Sequence, residues 1–484
     1  MNRKMIFSVL GRIVSIEGIA LILPLVVAFI YGEWKEVVAF GSVAAGAVLL
    51  GYLMFVLTKT REQTIYAKEG FVIVALSWIV MSAIGALPFV ISGNIPSYID
   101  AFFETVSGFT TTGASILTSP ESLAHSAHIW RAFTHWIGGM GILVLMVAIF
   151  PDSNGRTIHI MRAEMPGPVI DKIVPKARDT AKILYFMYIG LTLAEVVFLL
   201  FGGLNVFEAF FYSFGTAGTG GFGILSDSIG SYSPYVQWVI TAFMILFGIN
   251  FNLYYLILIK KFGRAIRSEE LWVYIGIIAV SSALICVNIR SLFPSLGDTV
   301  RTAVFQVASV ITTTGYSTAN FDAWPTFSKG IIFLLLFTGG CAGSTAGGLK
   351  LSRVIIIFKN VKRHLRMMLH PREVCTVKFE GKTVDESVRH NVSTYFLLYM
   401  VALAVIFLIV SLQPAVSEPF TLEENLTAAI SCFNNVGPAY GRVFSGYSEY
   451  HPLIKLVLSA AMLLGRLELY PLMLTFAPRT WTKK

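Results

Sequence analysis

The chain is 484 residues long, 55% apolar and only 13% charged, with a mean hydropathy of +0.71. A soluble chain of this length carries far more charge, so these proportions exclude a soluble globular protein and describe one whose solvent is mostly lipid. The formal net charge of +9 does not signal nucleic acid, because the basic residues lie between apolar runs and not along one face.

The first apolar run, from about Ile6 to Tyr31, follows a basic MNRKM start. It is too long for the hydrophobic region of a signal peptide, and no small-residue cleavage site follows, so it reads as a retained membrane helix. A second span lies near 36–58. A unit then recurs four times: an inbound span, a shorter half-apolar segment, a Gly/Thr-rich break and a returning span. The inbound spans lie near 70–92, 180–203, 271–290 and 392–412, and the returning spans near 128–150, 235–260, 328–349 and 450–476. These runs approach or exceed the roughly 20 residues that cross a bilayer core of about 30 Å. A repeat of this kind decides the fold. The expectation is an all-α polytopic membrane protein with four pseudo-symmetric M1-P-M2 units (helix, pore half-helix, helix) around one pore, preceded by two transmembrane helices. The boundaries read as 1–69 for the two N-terminal helices, then units at 70–179, 180–270, 271–391 and 392–484.

Basic residues orient the chain. Lys59, Arg61 and Lys68, then Arg156, Arg162, Lys172, Lys176, Arg178 and Lys182, then Lys260, Lys261, Arg264 and Arg267, and finally the dense set from Lys350 to Arg389 mark four segments. By the positive-inside bias these segments and both termini are cytoplasmic. The cysteines Cys286, Cys341, Cys375 and Cys432 are scattered without a CxxC spacing, which argues against a metal site or disulfide framework and for small buried side chains.

The breaks align in one register: Thr111-Thr112-Gly113-Ala114-Ser115, Thr219-Gly220-Gly221-Phe222-Gly223, Thr313-Thr314-Gly315-Tyr316-Ser317 and Asn435-Val436-Gly437-Pro438-Ala439. Glycine is third in each. The third break lies a few conservative steps from TVGYG, the potassium-channel loop whose carbonyls replace an ion's hydration shell. Each follows a segment able to form a short helix that enters without crossing: YIDAFFETVSGF, NVFEAFFYSFGTAG, TVRTAVFQVASVI and LEENLTAAISCFN. Non-helical backbone is tolerated at membrane depth only where it is buried in protein or lines a water-filled path. A carbonyl-lined cation filter uses that exception, with glycine where the chain must turn through a conformation that a Cβ penalises. The alternative is that these are helix-ending turns and packing glycines. Four coincident breaks between a half-span and a full span favour the filter. A further glycine recurs about two dozen residues later, at Gly139, Gly248, Gly339 and Gly465, marking a shared weak point in the returning helices.

Two other features lie within the returning spans. The run Gly339-Gly340-Cys341-Ala342-Gly343-Ser344-Thr345-Ala346-Gly347-Gly348 is too rich in glycine to hold a regular helix, so it reads as a loop in the pore or as a small-residue helix contact. Arg466, two residues before Glu468, is a charge in the middle of the fourth returning span. It faces either the ion path below the filter, where it repels cations and holds the loop, or a structural partner such as Glu468 or Glu195. Asp100, Glu104, Asp298, Asp322, Glu418, Glu423 and Glu424 surround the pore-helix segments, as an acidic rim that concentrates cations or as helix N-terminal charges. Arg131, His135 and Trp136 read as interfacial anchors.

The four M1-P-M2 units, the degenerate breaks, HWIGGMGI at 135–142 and TGGCAGSTAGGLKLSR at 338–353 together resemble the Trk/Ktr/HKT superfamily of potassium transporters. The overall length and the two extra N-terminal spans are closer to its bacterial TrkH/TrkG branch. That resemblance implies potassium as the transported ion, with no organic cofactor, and a filter formed by Thr111, Thr112 and Gly113, by Thr219, Gly220 and Gly221, by Thr313, Thr314 and Gly315, and by Asn435, Val436 and Gly437. It implies an intramembrane gating loop at 338–348, involving Gly340, Gly343, Ser344, Gly347 and Gly348 together with Lys350 and Arg466. It also implies a homodimer in the bacterial inner membrane, in contact with lipid, controlled by a cytoplasmic nucleotide-binding RCK ring of the TrkA type. Ala114 and Pro438 depart from the aromatic of the TVGYG pattern, and Asn435 replaces a threonine. No Ser/His/Asp set, HExxH helix or Walker A loop points to an enzyme or an ATP-driven pump, and four units running in one direction do not match inverted repeats. Proton- or sodium-coupled symport and a less selective cation channel remain alternative modes.

Overall fold

A computed structural model describes residues 2–58, 67–141, 177–373, 375–413 and 419–481. Lys59, Arg61, Glu418, the basic residues from Arg156 to Lys176, and the first returning span beyond Gly141 lie outside the described residues.

The first span, Arg3–Ala20 continued by Ile22–Tyr31, is packed antiparallel to Trp34–Leu57. Small residues bring the two backbones together: a Cβ on Gly11 would stand 2.7 Å from Gly51 O, and one on Gly18 2.9 Å from Ala44 O. The inbound helices of the four units are Ala67–Gly85, Ala177–Phe201, Glu269–Ile289 and Glu386–Ser411. The pore helices are Tyr98–Phe109, Val206–Gly218, Leu296–Ile311 and Leu422–Asn434. All four pore helices start at a side-chain cap, Ser97, Asn205, Ser295 or Thr421, and the Asn205 and Thr421 caps are completed as capping boxes by Glu208 and Glu424.

The returning helices are short, because each stops or bends at the recurring glycine. They run His125–Met140, Pro234–Phe247, Thr326–Thr338 and Pro452–Arg466. The expected continuous spans at 235–260, 328–349 and 450–476 are therefore corrected, the last because it turns between Arg466 and Tyr470 before Tyr470–Phe476. The second turns by 89° between Phe247 and Phe251, and the third gives way to an irregular loop from Gly339 to Lys350 before Leu351–Leu369 begins. Among the described residues six helices are long and apolar enough to cross a membrane, or seven if the bent pair counts as one span. Close packing demands the glycines. Cβ atoms on Gly138 and Gly465 would collide with the carbonyls of Phe109 and Phe433 at the ends of their own pore helices, and one on Gly248 would collide with the Tyr274 hydroxyl. In the first unit it is Gly138, one residue before the expected Gly139, that matches Gly465. Cys341 and Cys432 are buried, while Cys286 and Cys375 are only half-buried.

Candidate functional site

The pore helices end in one local structure repeated four times. Thr111, Thr219, Thr313 and Asn435 follow the helices in the left-handed region with φ of 57°, 57°, 56° and 56°. Their N–H groups donate to the carbonyls of Gly108, Thr216, Val310 and Cys432. The N–H groups of Thr112, Gly220, Thr314 and Val436 reach back to Ser107, Gly215, Ser309 and Ser431 at 2.8–2.9 Å. This is a Schellman ending. Three of its four left-handed residues are threonines, for which a positive φ is a genuine outlier costing of order 1–3 kcal/mol. Strain repeated at equivalent positions marks a site where the backbone direction itself is needed.

That direction becomes clear two residues on. Gly113, Gly221, Gly315 and Gly437 have φ of 76°, 77°, 84° and 102°. A Cβ on Gly437 would stand 2.5 Å from Thr112 O. Cβ atoms on Gly113, Gly221 and Gly315 would stand closer still to the carbonyls of Gly220, Thr314 and Val436. Each loop therefore abuts the next, 1 to 2, 2 to 3, 3 to 4 and 4 back to 1, and the ring closes. Among the described residues no hydrogen bond is donated to the carbonyls of Thr112, Gly220, Thr314 and Val436. Four unpaired carbonyls in a closed ring, with the negative ends of four helix dipoles converging on it, suit a partly dehydrated cation.

The departures from the aromatic pattern are compensated locally. Tyr316 is wedged behind the third loop, its hydroxyl donating to Tyr212 O of the second pore helix at 3.3 Å. Behind the second loop Phe222 packs against His135 in a tilted arrangement, with ring centroids 4.2 Å apart. Where the first and fourth loops carry Ala114 and Pro438, Tyr447 supplies the missing ring: it donates its hydroxyl to Gly437 O at 2.7 Å and its N–H to Ser115 O at 2.8 Å. The Asn435 amide donates to Thr112 Oγ1 at 3.0 Å and Met462 O at 2.9 Å, tying the fourth loop to the first.

Arg131 and His135 are not interfacial anchors. Arg131 forms a 2.8 Å ion pair with Glu104 in which both side chains are almost fully buried, at 2% and 0% exposure. Glu104 also accepts from Ser115 Oγ and the Ile116 N–H, both at 2.9 Å, while Arg131 donates to Gly223 O at 3.3 Å. The pair thus clamps the exit strands of the first and second loops together. His135 Nδ1 lies 2.8 Å from Gly108 O, and Trp136 is half-buried with its indole N–H on Thr192 Oγ1. The sequence signal was present in Arg131, the one Lys or Arg of its returning helix, and in Glu104, an acid past the first turn of its pore helix.

The acidic rim is neutralised by partners. Asp100 pairs with Lys455 at 2.6 Å, Asp298 with Arg301 at 2.7 Å, Asp322 and Glu423 with Lys329 at 2.7 and 3.0 Å, and Glu424 with Arg442 at 3.3 Å. Two of these contacts again join one unit to the next, Lys455 from the fourth to the first and Lys329, through Glu423, from the third to the fourth.

Below the ring, on the side of the pore-helix C-termini, lies the Gly339–Lys350 loop. Its Gly347 N–H donates to Thr313 Oγ1 at 2.6 Å. A Cβ on Gly347 would stand 2.7 Å from Asn434 O. Gly343 and Gly348 adopt φ of 71° and 74°. The Cys341 N–H donates to Gly248 O at the bend of the second unit, and Phe251 N–H to Gly343 O, both at 3.0 Å. Ser344 Oγ donates to Cys341 O at 2.6 Å, and the Leu351 N–H to Gly340 O at 3.1 Å. Buried Lys350 donates to Ser344 O and Ala346 O, folding the loop onto itself. Arg466 reaches in from the fourth unit, donating to Thr345 O at 2.9 Å and to Gly138 O and Gly139 O at the end of the first returning helix. Of the two acids expected as structural partners, Glu468 pairs instead with Arg353 at 2.5 Å, and Glu195 is fully buried elsewhere on the second inbound helix.

The TrkH family, described as a cation transport protein family, matches residues 39–483. The chain belongs to the TrkH family of cation transport proteins. It is a multi-pass membrane transporter and not an enzyme. Among its relatives, the Trk system potassium uptake protein TrkH of Salmonella typhimurium is 35% identical over 99% of this chain and all of that protein. The Trk system potassium uptake protein TrkG of Escherichia coli is 32% identical over 99% of this chain and 98% of its own length. The crystal structure of the potassium transporter TrkH from Vibrio parahaemolyticus superposes with a TM-score of 0.88 over the full length of both chains, at 29% identity. In this TrkH-family chain the twelve residues expected at the filter come together in the ring, and the seven expected at the gate come together beneath it.

Proposed function

We propose that this chain takes up potassium across the bacterial cytoplasmic membrane through the carbonyl ring of Thr112, Gly220, Thr314 and Val436, flanked by Thr111, Thr219, Thr313 and Asn435 and by Gly113, Gly221, Gly315 and Gly437. The observation that carries this reading is cyclic closure: four loops from four segments of one chain, each glycine set against the carbonyl of the next loop. A ring so made presents oxygen ligands without net side-chain charge, which suits an ion that must both bind and leave. The potassium uptake named for the relatives supports the choice of ion.

The Gly339–Lys350 loop is the gate. It sits against Thr313 and Asn434 and is held by Arg466, whose guanidinium also raises an electrostatic barrier to a cation leaving the ring. Both termini face the cytoplasm, the chain works as a homodimer, and a nucleotide-binding ring of the TrkA type docks on the basic cytoplasmic segments 151–182 and 350–391. The test is flux through purified protein in liposomes with potassium, rubidium, sodium and lithium. The proposal expects potassium and rubidium to pass ahead of sodium and lithium, without ATP in the vesicles. Equal passage of all four ions contradicts it.

A further inference from the structure

The gate loop is anchored on one side by a residue that none of the filter or gate motifs contains. Glu270, in the first turn of the third inbound helix and 4% exposed, accepts the Ala342 N–H at 2.8 Å through Oε1. Glu270 is in turn positioned by Glu380. That exposed residue sits at the tip of a two-stranded antiparallel hairpin, Lys378–Phe379 with Lys382–Thr383, whose register pairs Phe379 with Lys382. Glu380 Oε1 accepts the Ser268 hydroxyl at 2.8 Å and the Glu270 N–H at 2.9 Å.

The tip conformation is costly for this residue. Glu380 and Gly381 have φ of 50° and 73°, the doubly positive pattern of a tight hairpin turn, where asparagine, aspartate or glycine is favoured at the first position. A glutamate held there points to a use for its longer side chain, which reaches the neighbouring helix. The hairpin is also strapped to the helix that leaves the gate loop: Lys359 Nζ donates to Lys378 O at 2.7 Å and Arg363 Nε to Cys375 O at 2.8 Å. Lys359 forms an ion pair with Glu269, beside Glu270. The hairpin therefore grips both the helix that anchors the gate loop and the helix into which the loop runs.

We infer that Glu380 and Glu270 are positioning residues of the gate, forming a lever by which force on the hairpin alters the hold on the loop at Ala342. The inference rests on the gate reading above. A bland role for Glu380, capping the third inbound helix, predicts lost stability without any change in gating.

The test is potassium flux and thermal unfolding on the same purified full-length protein in liposomes, with Glu270→Ala, Glu380→Ala and the double variant, and with Glu270→Gln and Glu380→Gln as milder changes that keep an acceptor oxygen. Loss of one such hydrogen bond shifts a two-state gate by about fivefold. Glu270→Ala is expected to raise flux by about that factor, Glu380→Ala to raise it by less, and the double variant to match Glu270→Ala alone, since the two act in series. The glutamine variants are expected to lie nearer the wild type, with potassium-to-sodium ranking unchanged throughout. Wild-type flux in Glu380→Ala, multiplying effects in the double variant, or an altered ion ranking each overturns the lever. Arg466→Ala, outside the lever, separates the two levels: if neither it nor Glu270→Ala changes flux, the gate reading itself fails.

Discussion

In the carbonyl ring, four loops repeat one conformation so closely that their first residues share φ within a degree, at 56–57°. Directly beneath it, the four returning helices break in four different ways: an end at Met140, an 89° bend after Phe247, a long loop after Thr338 and a short turn after Arg466. The contrast fits the functions proposed for the two layers. A ring of ligands around one ion fails if one of its quarters is misplaced, so each quarter keeps its glycine, its left-handed residue and its contact with the next. A gate needs one obstruction, so one unit supplies the loop while the others supply anchors: Gly248 O from the second, Gly138 O and Gly139 O from the first through Arg466, which the fourth contributes. Near-symmetry above and specialisation below are what a single chain carrying four units permits and four identical subunits do not.

The comparison breaks most severely at the clamp between the first two loops. Arg131→Ala leaves Glu104 buried without its ion-pair partner, and removing one member of such a pair costs about 3–5 kcal/mol. The expected outcome is a large fall in the melting temperature, while a double replacement of Arg131 and Glu104 by apolar residues of similar size is expected to cost less than the single change. Thermal unfolding of the three proteins in detergent checks this ordering.

Below the ring, the expected change is in flux and not in stability. At ~5 Å and an effective dielectric near 20, one positive charge repels a permeating cation by about 3 kcal/mol. Arg466→Ala is therefore expected to raise potassium flux, and shortening the loop between Gly340 and Gly348 to do the same. Because Arg466 donates to Thr345 O within that loop, the combined variant is expected to give less than the product of the two effects. Lower flux together with a lower melting temperature in Arg466→Ala assigns the arginine a purely structural role.

The smallest effect belongs to the rim. Lys455→Ala removes the buried partner of Asp100, but the Asp100 side chain itself stays a quarter exposed and can be rehydrated, so the expected loss is about 1 kcal/mol, near the surface-pair range and well below that of a fully buried pair. A small drop in melting temperature with unchanged ion ranking is expected. A changed ranking places ion recognition at the mouth instead of in the ring.

The ring was legible in the sequence because its chemistry is backbone chemistry, and backbone that must turn through positive φ leaves glycines in register. The wedges behind it were harder to read. Tyr447 acts for the first and fourth loops from ten residues beyond Gly437, outside any aligned pattern, and its role depends on where the loop folds. Arg131 and Glu104 lie 27 positions apart on two helices, and only the packing of a returning helix against its own pore helix brings them together. Charge alone marks such residues as expensive in a membrane, but it does not identify the partner. The same limit applies to Arg466, where sequence proximity favoured Glu468 although Arg353, from another unit, is the residue that pairs with it. Glu380 gave a different signal, a glutamate before glycine at a hairpin tip, which became informative only once its contact with Ser268 was known.

The most direct test of the central claim is the potassium-to-sodium flux ratio of purified protein in liposomes for Gly113→Ser, Gly221→Ser, Gly315→Ser and Gly437→Ser, with Gly203→Ser as a control. Gly203 also has a positive φ, of 87°, but nothing lies within 4 Å of its would-be Cβ. A reduced ratio is expected in all four ring variants, because each added side chain displaces a carbonyl of the next loop, and a ratio like the wild type in the control. Wild-type ratios in the four ring variants, from protein that remains folded, contradict that claim.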